Sequence, residues 1–143
     1  MKCTVILDKT REEEIIIYAH QKSEMVEAVE NLINDKTQYV NGYLNGEIVK
    51  LLPQEVFCFI VENSKVYAIC DNKKYLLKLR LYNIEQMLDK DFIKINQSSI
   101  ANINKIQKFD ASIGGTLKVI FKNGYTDYVS RRNIKNVKER LGL

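Results

Sequence analysis

The sequence predicts a mainly β, α+β fold: antiparallel strands with a few short helices, preceded by an N-terminal strand-strand-helix appendage. Three observations predict it. Isoleucine and valine supply 28 of the 143 residues, so much of the apolar surface is β-branched. The apolar runs are short and alternate with turn signals. Asn45-Gly46 and Asn123-Gly124 each sit between such runs, where they can supply the positive φ angles of a type I′ hairpin turn. At 16.6 kDa the chain suits one compact domain with a small addition, and 45% hydrophobic against 28% charged residues excludes disorder.

Residues 3–7 and 14–19 are strand-like, and Met25, Val29, Leu32 and Ile33 then recur at spacings of three and four, which predicts a helix capped by Ser23 and ending near Lys36. This unit is too small to stand alone and must pack on the rest of the chain or on another copy. Residues 1–44 are therefore read as an appendage and residues 45–143 as the main domain. Residues 56–61 are continuously apolar, as a strand buried on both faces would be. Residues 62–65 turn the chain into a strand over 66–70, and Asp71-Asn72 turns it again into a half-buried strand over 74–79. Leu81, Ile84, Met87 and Leu88 have helical spacing, with Asn83 and Gln86 placed as a capping box. A strand over 92–95 leads to the polar Asn96-Gln97-Ser98-Ser99, from which one helical turn carrying Ile100, Ile103 and Ile106 is expected. After Lys108 come a strand, a turn over 112–115, strands over 117–121 and 125–129, and a final helix capped by Ser130 with Ile134, Val137 and Leu141 on one stripe. Pro53, the sole proline, marks a loop.

The net charge of +4 is unevenly spread. Residues 92–143 hold ten Lys and Arg against Asp110, Asp127 and Glu139, a balance of +7, whereas residues 1–91 carry −3. A positive C-terminal third is the footprint of a protein that meets a polyanion, although lysine-rich surfaces also serve solubility. Cys3, Cys58 and Cys70 are an odd set without metal-ligand spacing, and His20 is the sole histidine. They are expected to be reduced packing thiols, with no metal and no disulfide framework. No apolar stretch nears the roughly 20 residues of a membrane span and the N-terminus lacks a signal peptide's apolar region, so a cytoplasmic location is expected.

Catalytic residues are not found. His20 has no nucleophile motif beside it, and Gly114-Gly115 leads into a strand, unlike a phosphate loop, which opens a helix. No cofactor fingerprint and no small-molecule substrate are evident. What stands out is Arg131-Arg132 directly after Ser130. Cations in the first turn of a helix are disfavoured by roughly 0.3–1 kcal/mol each, so an anion outside the helix should offset them. A phosphate or a guanine edge would do so, and so would a salt bridge to Asp127 or another carboxylate.

The segment Asp91-Phe92-Ile93-Lys94-Ile95-Asn96-Gln97-Ser98-Ser99-Ile100-Ala101-Asn102, followed after a strand and the Asn123-Gly124 hairpin by Tyr128-Val129-Ser130-Arg131-Arg132-Asn133-Ile134-Lys135, resembles the LytTR-type DNA-binding domain of bacterial response regulators. The likeness covers about residues 45–143. It implies a LytTR-like domain with an elongated antiparallel β-sheet that presents loops, independently of any helix-turn-helix, to the major groove at successive turns of double-stranded DNA. By that resemblance the DNA-binding residues would be Ser64, Lys65, Asn96, Gln97, Ser98, Arg131, Arg132 and Lys135. Gln97 stands where the family usually holds a basic residue or asparagine. The receiver domain common upstream has no counterpart, since 44 residues cannot hold a five-stranded phosphoacceptor fold. The chain therefore resembles a stand-alone, response regulator-like member. Assembly as a homodimer on direct repeats is a further expectation, and the resemblance implies a regulatory membrane protein as partner. The function expected is that of a sequence-specific transcriptional regulator. The alternatives are a module that pairs with proteins through exposed strands, and a small metal-dependent nuclease, for which Asp110 and Asp127 are the C-terminal candidates.

Overall fold

The computed structural model describes residues 2–33 and 38–143. The chain divides into two compact units, Met1–Lys36 and Thr37–Leu143. In the first, helix α1 (Glu24–Ile33) forms as its periodicity predicts. Its N-terminus is closed by Ser23, whose hydroxyl accepts from the Val26 N–H at 3.3 Å. The helix end expected near Lys36 lies outside the described residues. Residues 3–7 and 14–19, expected as strands, carry no strand pairing. Alternating apolar residues make a strand only where an edge is paired and a face covered, and here Leu7 is 94% exposed and Ile15 65%. Cys3, expected to pack, is exposed for the same reason.

The second unit is mainly β. In chain order it contains β1 (Val40–Leu44), β2 (Glu47–Leu51), a 3₁₀ turn (Pro53–Glu55), β3 (Cys58–Glu62), β4 (Lys65–Cys70), β5 (Lys73–Leu77), α2 (Leu81–Met87), β6 (Phe92–Asn96), β7 (Ser99–Asn102), a second 3₁₀ turn (Ile103–Lys105), β8 (Ile106–Asp110), β9 (Leu117–Phe121), β10 (Thr126–Val129) and α3 (Arg131–Leu141). A seven-stranded sheet has the order β2-β1-β5-β4-β3-β7-β6, and a three-stranded sheet the order β10-β9-β8. Every pairing is antiparallel. Strand β1 lies N-terminal to the boundary expected at residue 44, yet it sits between β2 and β5. The sheet thus begins before the Asn45-Gly46 turn, because the hairpin built on that turn needs both its arms.

The central strand is apolar on both faces because each face has its own core. Phe59 of β3 packs in a cluster with Val66, Tyr75, Leu77, Ile100 and the α2 residues Leu81 and Ile84. Its neighbours Cys58 and Ile60 point the other way, into a cluster with Leu117, Val119 and Phe121 of β9, Val129 of β10 and Val137 of α3. Helix α2 thus covers one face of the large sheet, while the small sheet and α3 cover the other.

Several local expectations change. At Asn45-Gly46 both residues have positive φ (50° and 81°), as a type I′ turn requires, but in the second Asn-Gly turn only Gly124 does (88°). There Gly124 N–H donates to the Phe121 carbonyl at 2.9 Å and Phe121 N–H to the Tyr125 carbonyl at 2.8 Å, a longer loop ending in a glycine bulge. Helix α2 starts at Leu81, so Asn83 lies within the helix and forms no capping box; no side chain caps it. Ile100 belongs to a strand, not a helical turn, since β7 pairs on both sides and the helical geometry starts only at Ile103. Asn102, buried at 2% exposure, fixes that change of direction. Its amide donates to the carbonyls of Val56 (2.8 Å) and Gln54 (3.3 Å), and its Oδ1 accepts from Asn104 N–H at 3.1 Å.

Gly42 in β1 faces Tyr75 across the sheet. A Cβ there would stand 2.8 Å from the Tyr75 Cβ and 2.7 Å from Leu51 Cδ1, and the tyrosine Cβ has nowhere to go. Replacing glycine by alanine in a strand ordinarily gains about 0.4–1 kcal/mol from the unfolded chain, and the overlap should outweigh it. Gly42→Ala is expected to lower stability by about 1–3 kcal/mol in urea unfolding. A second expectation concerns the thiols. Cys58 is buried and its thiol pKa pushed well up, and Cys70 is pushed up to about 11, in both cases chiefly by burial. An alkylating reagent at pH 8 should therefore modify Cys3 rapidly in the native protein, and Cys58 and Cys70 only after denaturation.

Candidate nucleic-acid interface

The residues expected to contact DNA come from two turns and one helix start. The β3–β4 turn carries Asn63 and Ser64 at positive φ (49° and 62°), a type I′ geometry without glycine, so Ser64 is held in a strained conformation with its hydroxyl on an exposed tip. Lys65 opens β4, in register with Glu62. The β6–β7 turn carries Gln97 and Ser98, both exposed, between the paired Asn96 and Ser99. Because Ile60 of β3 pairs with Ser99 of β7, both turns lie at the same end of the large sheet. A hydrogen bond from Val61 N–H to the Ser98 carbonyl, 2.8 Å long, ties them together.

The third element joins through the backbone. The register of β6 slips between Lys94 and Asn96, a bulge at Ile95 that keeps its side chain fully buried while its carbonyl accepts from Ser130 N–H at 2.8 Å. Ser130 is the N-cap of α3, as expected, but its hydroxyl accepts from the Asn133 side-chain amide at 3.0 Å and caps no backbone N–H. The far end of α3 is fixed too. Arg140 donates to the carbonyls of Phe92 (3.0 Å) and Lys90, and Gly142 closes the helix in the left-handed conformation with φ 68°.

One carboxylate organises this end. Asp127 of β10 accepts from the Ser99 hydroxyl on Oδ2 at 2.6 Å, and on Oδ1 from the Asn96 amide at 3.1 Å and its neighbour Tyr128 N–H at 2.8 Å. The Asn96 amide also donates to the Tyr128 carbonyl at 2.8 Å, and its Oδ1 accepts from Ser98 N–H at 2.8 Å. Asn96 thus spends both N–H donors inside the protein, whereas Gln97 and Ser98 present their side chains outward. Asp127 and Ser99 were not foreseen in this role. The only signal is a serine directly before the apolar pair Ile100-Ala101, where burial obliges its hydroxyl to find an acceptor.

Arg131, Arg132 and Lys135 are exposed, and the first turn of α3 holds no acid. Among the described residues neither arginine forms an ion pair. The salt bridge to Asp127 weighed from the sequence is absent, because that carboxylate already serves Ser99 and Asn96. No group of three His, Cys, Asp or Glu side chains that could hold a metal occurs among the described residues. No helix of the described residues is long and apolar enough to cross a membrane.

The second unit is thus a mainly antiparallel β domain that gathers two sheet turns and a cationic helix start at one end. Residues 46–142 match the family described as the LytTr DNA-binding domain, and the chain belongs to that family. It is 36% identical to an uncharacterized HTH-type transcriptional regulator of Staphylococcus aureus strain MSSA476, and 35% identical to one of strain NCTC 8325. Each alignment covers 100% of this chain and 99% of the relative. The fold is similar to that of the LytTr DNA-binding domain of a methyl-accepting/DNA response regulator from Bacillus cereus. The TM-score is 0.69 at 23% identity, over 73% of this chain and 97% of that one. The relatives' names speak of a helix-turn-helix, whereas here strands separate the helices α1, α2 and α3.

Removing the Asp127 carboxylate would leave the buried Ser99 hydroxyl and one Asn96 donor without an acceptor. Asp127→Ala should therefore cost about 1–3 kcal/mol in chemical unfolding. Asp127→Asn should cost less, since its amide oxygen keeps the bonds made on Oδ1 and the Ser99 hydroxyl can rotate to accept.

Proposed function

We propose that the protein is a transcriptional regulator that recognises specific duplex DNA by setting the two turns and the start of α3 into the major groove. The observation that carries this reading is the Asp127, Asn96 and Ser99 bond set, which fixes β6, β7 and β10 at one end of the sheet while Gln97 and Ser98 stay exposed and Arg131, Arg132 and Lys135 form no ion pair among the described residues. In this reading Arg132 forks onto guanine O6 and N7, Arg131 and Lys135 meet phosphates, and Gln97 bonds an adenine edge. Ser64 and Lys65 contact the backbone from the neighbouring turn. Asn96 positions its turn and does not read bases.

The first unit, Met1–Lys36, with a balance of −3, is kept off the duplex by repulsion and serves stability or self-association, in keeping with a homodimer on direct repeats. A regulatory membrane protein remains part of the proposal as a partner. A second reading, strand pairing with a protein, draws on β2, which ends the large sheet and exposes Ile48 at 65%. Retention of a protein partner in DNA-free pulldowns, with no duplex binding, would favour it.

Selection from a random duplex pool should return a defined site. If about five phosphates are neutralised, log affinity should fall against log salt with a slope of roughly −4 to −5, and a flat response would remove the DNA reading. Arg132→Ala should shrink the ratio of specific to non-specific affinity by about 1–3 kcal/mol at one base position. Arg131→Ala should weaken all sequences alike and lower the slope by about one. Neither should unfold more easily, since each removes a cation from a helix N-terminus.

A further inference from the structure

The sheet register places further lysines in line with the β3–β4 turn. Asn41 pairs with Lys50, Tyr43 with Leu76, Val66 with Leu77 and Glu62 with Lys65. Carried on at the same end of the strands, this register brings Lys50, Asn41, Lys78, Lys65 and Glu62 into one row across β2, β1, β5, β4 and β3. Ile60 pairs with Ser99, which sets Gln97 next in that row. Directly opposed residues of neighbouring strands share a face. Strands β1, β2 and β5 contribute no residue to the core beneath the small sheet, so their side of that face is uncovered.

Three features make this row a cationic surface. Lys50, Lys65 and Lys78 are all exposed, and none forms an ion pair among the described residues. Glu62, the acid in the row, is engaged by Lys74 and neutralises none of them. Lys78 Nζ lies 4.4 Å from the centre of the Tyr43 ring, and Lys50 Nζ 5.7 Å from that of Tyr39, so both ammonium groups are steadied by aromatic faces that leave their charge intact. Like charges opposed on adjacent strands are unfavourable, and Lys65 beside Lys78 calls for an external anion. Three strand spacings of about 4.8 Å separate Lys50 from Lys65, or about 14 Å, which spans about four phosphates of one DNA strand at 3.4 Å of rise each.

We infer that Lys50 and Lys78 form a phosphate-binding extension of the DNA interface, prolonging the line of the turns along the duplex backbone. The inference rests on the DNA-binding reading above. It gives the face of β1, β2 and β5 a role in affinity and none in base choice.

The test uses the full chain and duplexes carrying the selected site with long and with minimal flanks, titrated across a range of salt. Lys50→Gln and Lys78→Gln should each weaken binding about three- to tenfold on long duplexes, for specific and random sequences alike, and lower the salt slope by about 0.9. The minimal duplex should show a smaller loss. Lys73→Gln, exposed at the opposite end of β5, should change neither. If the parent binds with the steep salt response while Lys50→Gln and Lys78→Gln match it in slope and affinity, the extension is overturned and the turns and α3 stand as the whole interface. A parent that does not bind duplex overturns both readings. Thermal unfolding of the variants should be unchanged or slightly improved, and a clear loss would make these lysines structural and overturn the inference.

Discussion

The constraint on which the second unit depends is that β3 has no free face. With Cys58 and Phe59 fully buried on opposite sides and Ile60 nearly so, every side chain through the middle of the strand is committed to packing. An apolar strand of this kind demands a cover on each side. Helix α2 and the pair formed by the small sheet and α3 provide the two covers. Polar chemistry is thereby excluded from the middle of the sheet and displaced to strand ends, where turns and a helix start can carry exposed side chains on a rigid base.

At that end the electrostatics divide into an inner and an outer set. The inner set is neutralised by hydrogen bonding: Asp127 is matched by Ser99, Asn96 and the Tyr128 N–H, so its charge is spent on holding β6, β7 and β10 in place. The outer set, Arg131, Arg132, Lys135 and Lys65, has no such partners within the described residues. The helix dipole opposes its own arginines, and the Asp127 carboxylate, bonded to Ser99 and Asn96, offsets neither of them. Burial sets which group falls into which set, since the inner side chains lose water and must pair while the outer ones keep it.

The strands were legible where the physics is local. The run over residues 56–61 announced a strand covered on both sides, residues 117–121 were placed to the residue, and Asn45-Gly46 gave its turn type because two adjacent residues tolerate positive φ. The stripe of Ile134, Val137 and Leu141 located α3 and its inner face. What the sequence concealed was long-range. Whether Ile100 continues a strand or starts a helix depends on β3 lying alongside it. The part played by Asp127 depends on Ser99, 28 residues away, and the placement of β1 depends on a pairing with β5 that no local pattern encodes. The strand-like runs over 3–7 and 14–19 show the converse case, since local alternation there meets no partner edge. The family likeness names the two turns and the start of α3, but the division of labour that makes Asn96 a brace and leaves Gln97 outward rests on contacts with β10, 31 and 32 residues away.

The bulge at Ile95 has a consequence for how such a protein can change over generations. By turning one main-chain carbonyl toward Ser130, it lets backbone atoms, which every sequence possesses, set the angle between the β6–β7 turn and α3. The scaffold's geometry is therefore indifferent to the side chains at positions 97, 98, 131 and 132. Under the proposed reading, substitutions there rewrite what the surface prefers without renegotiating the fold, so divergence in target comes easily to this architecture. Drift at Ser99 or Asp127 has no such freedom.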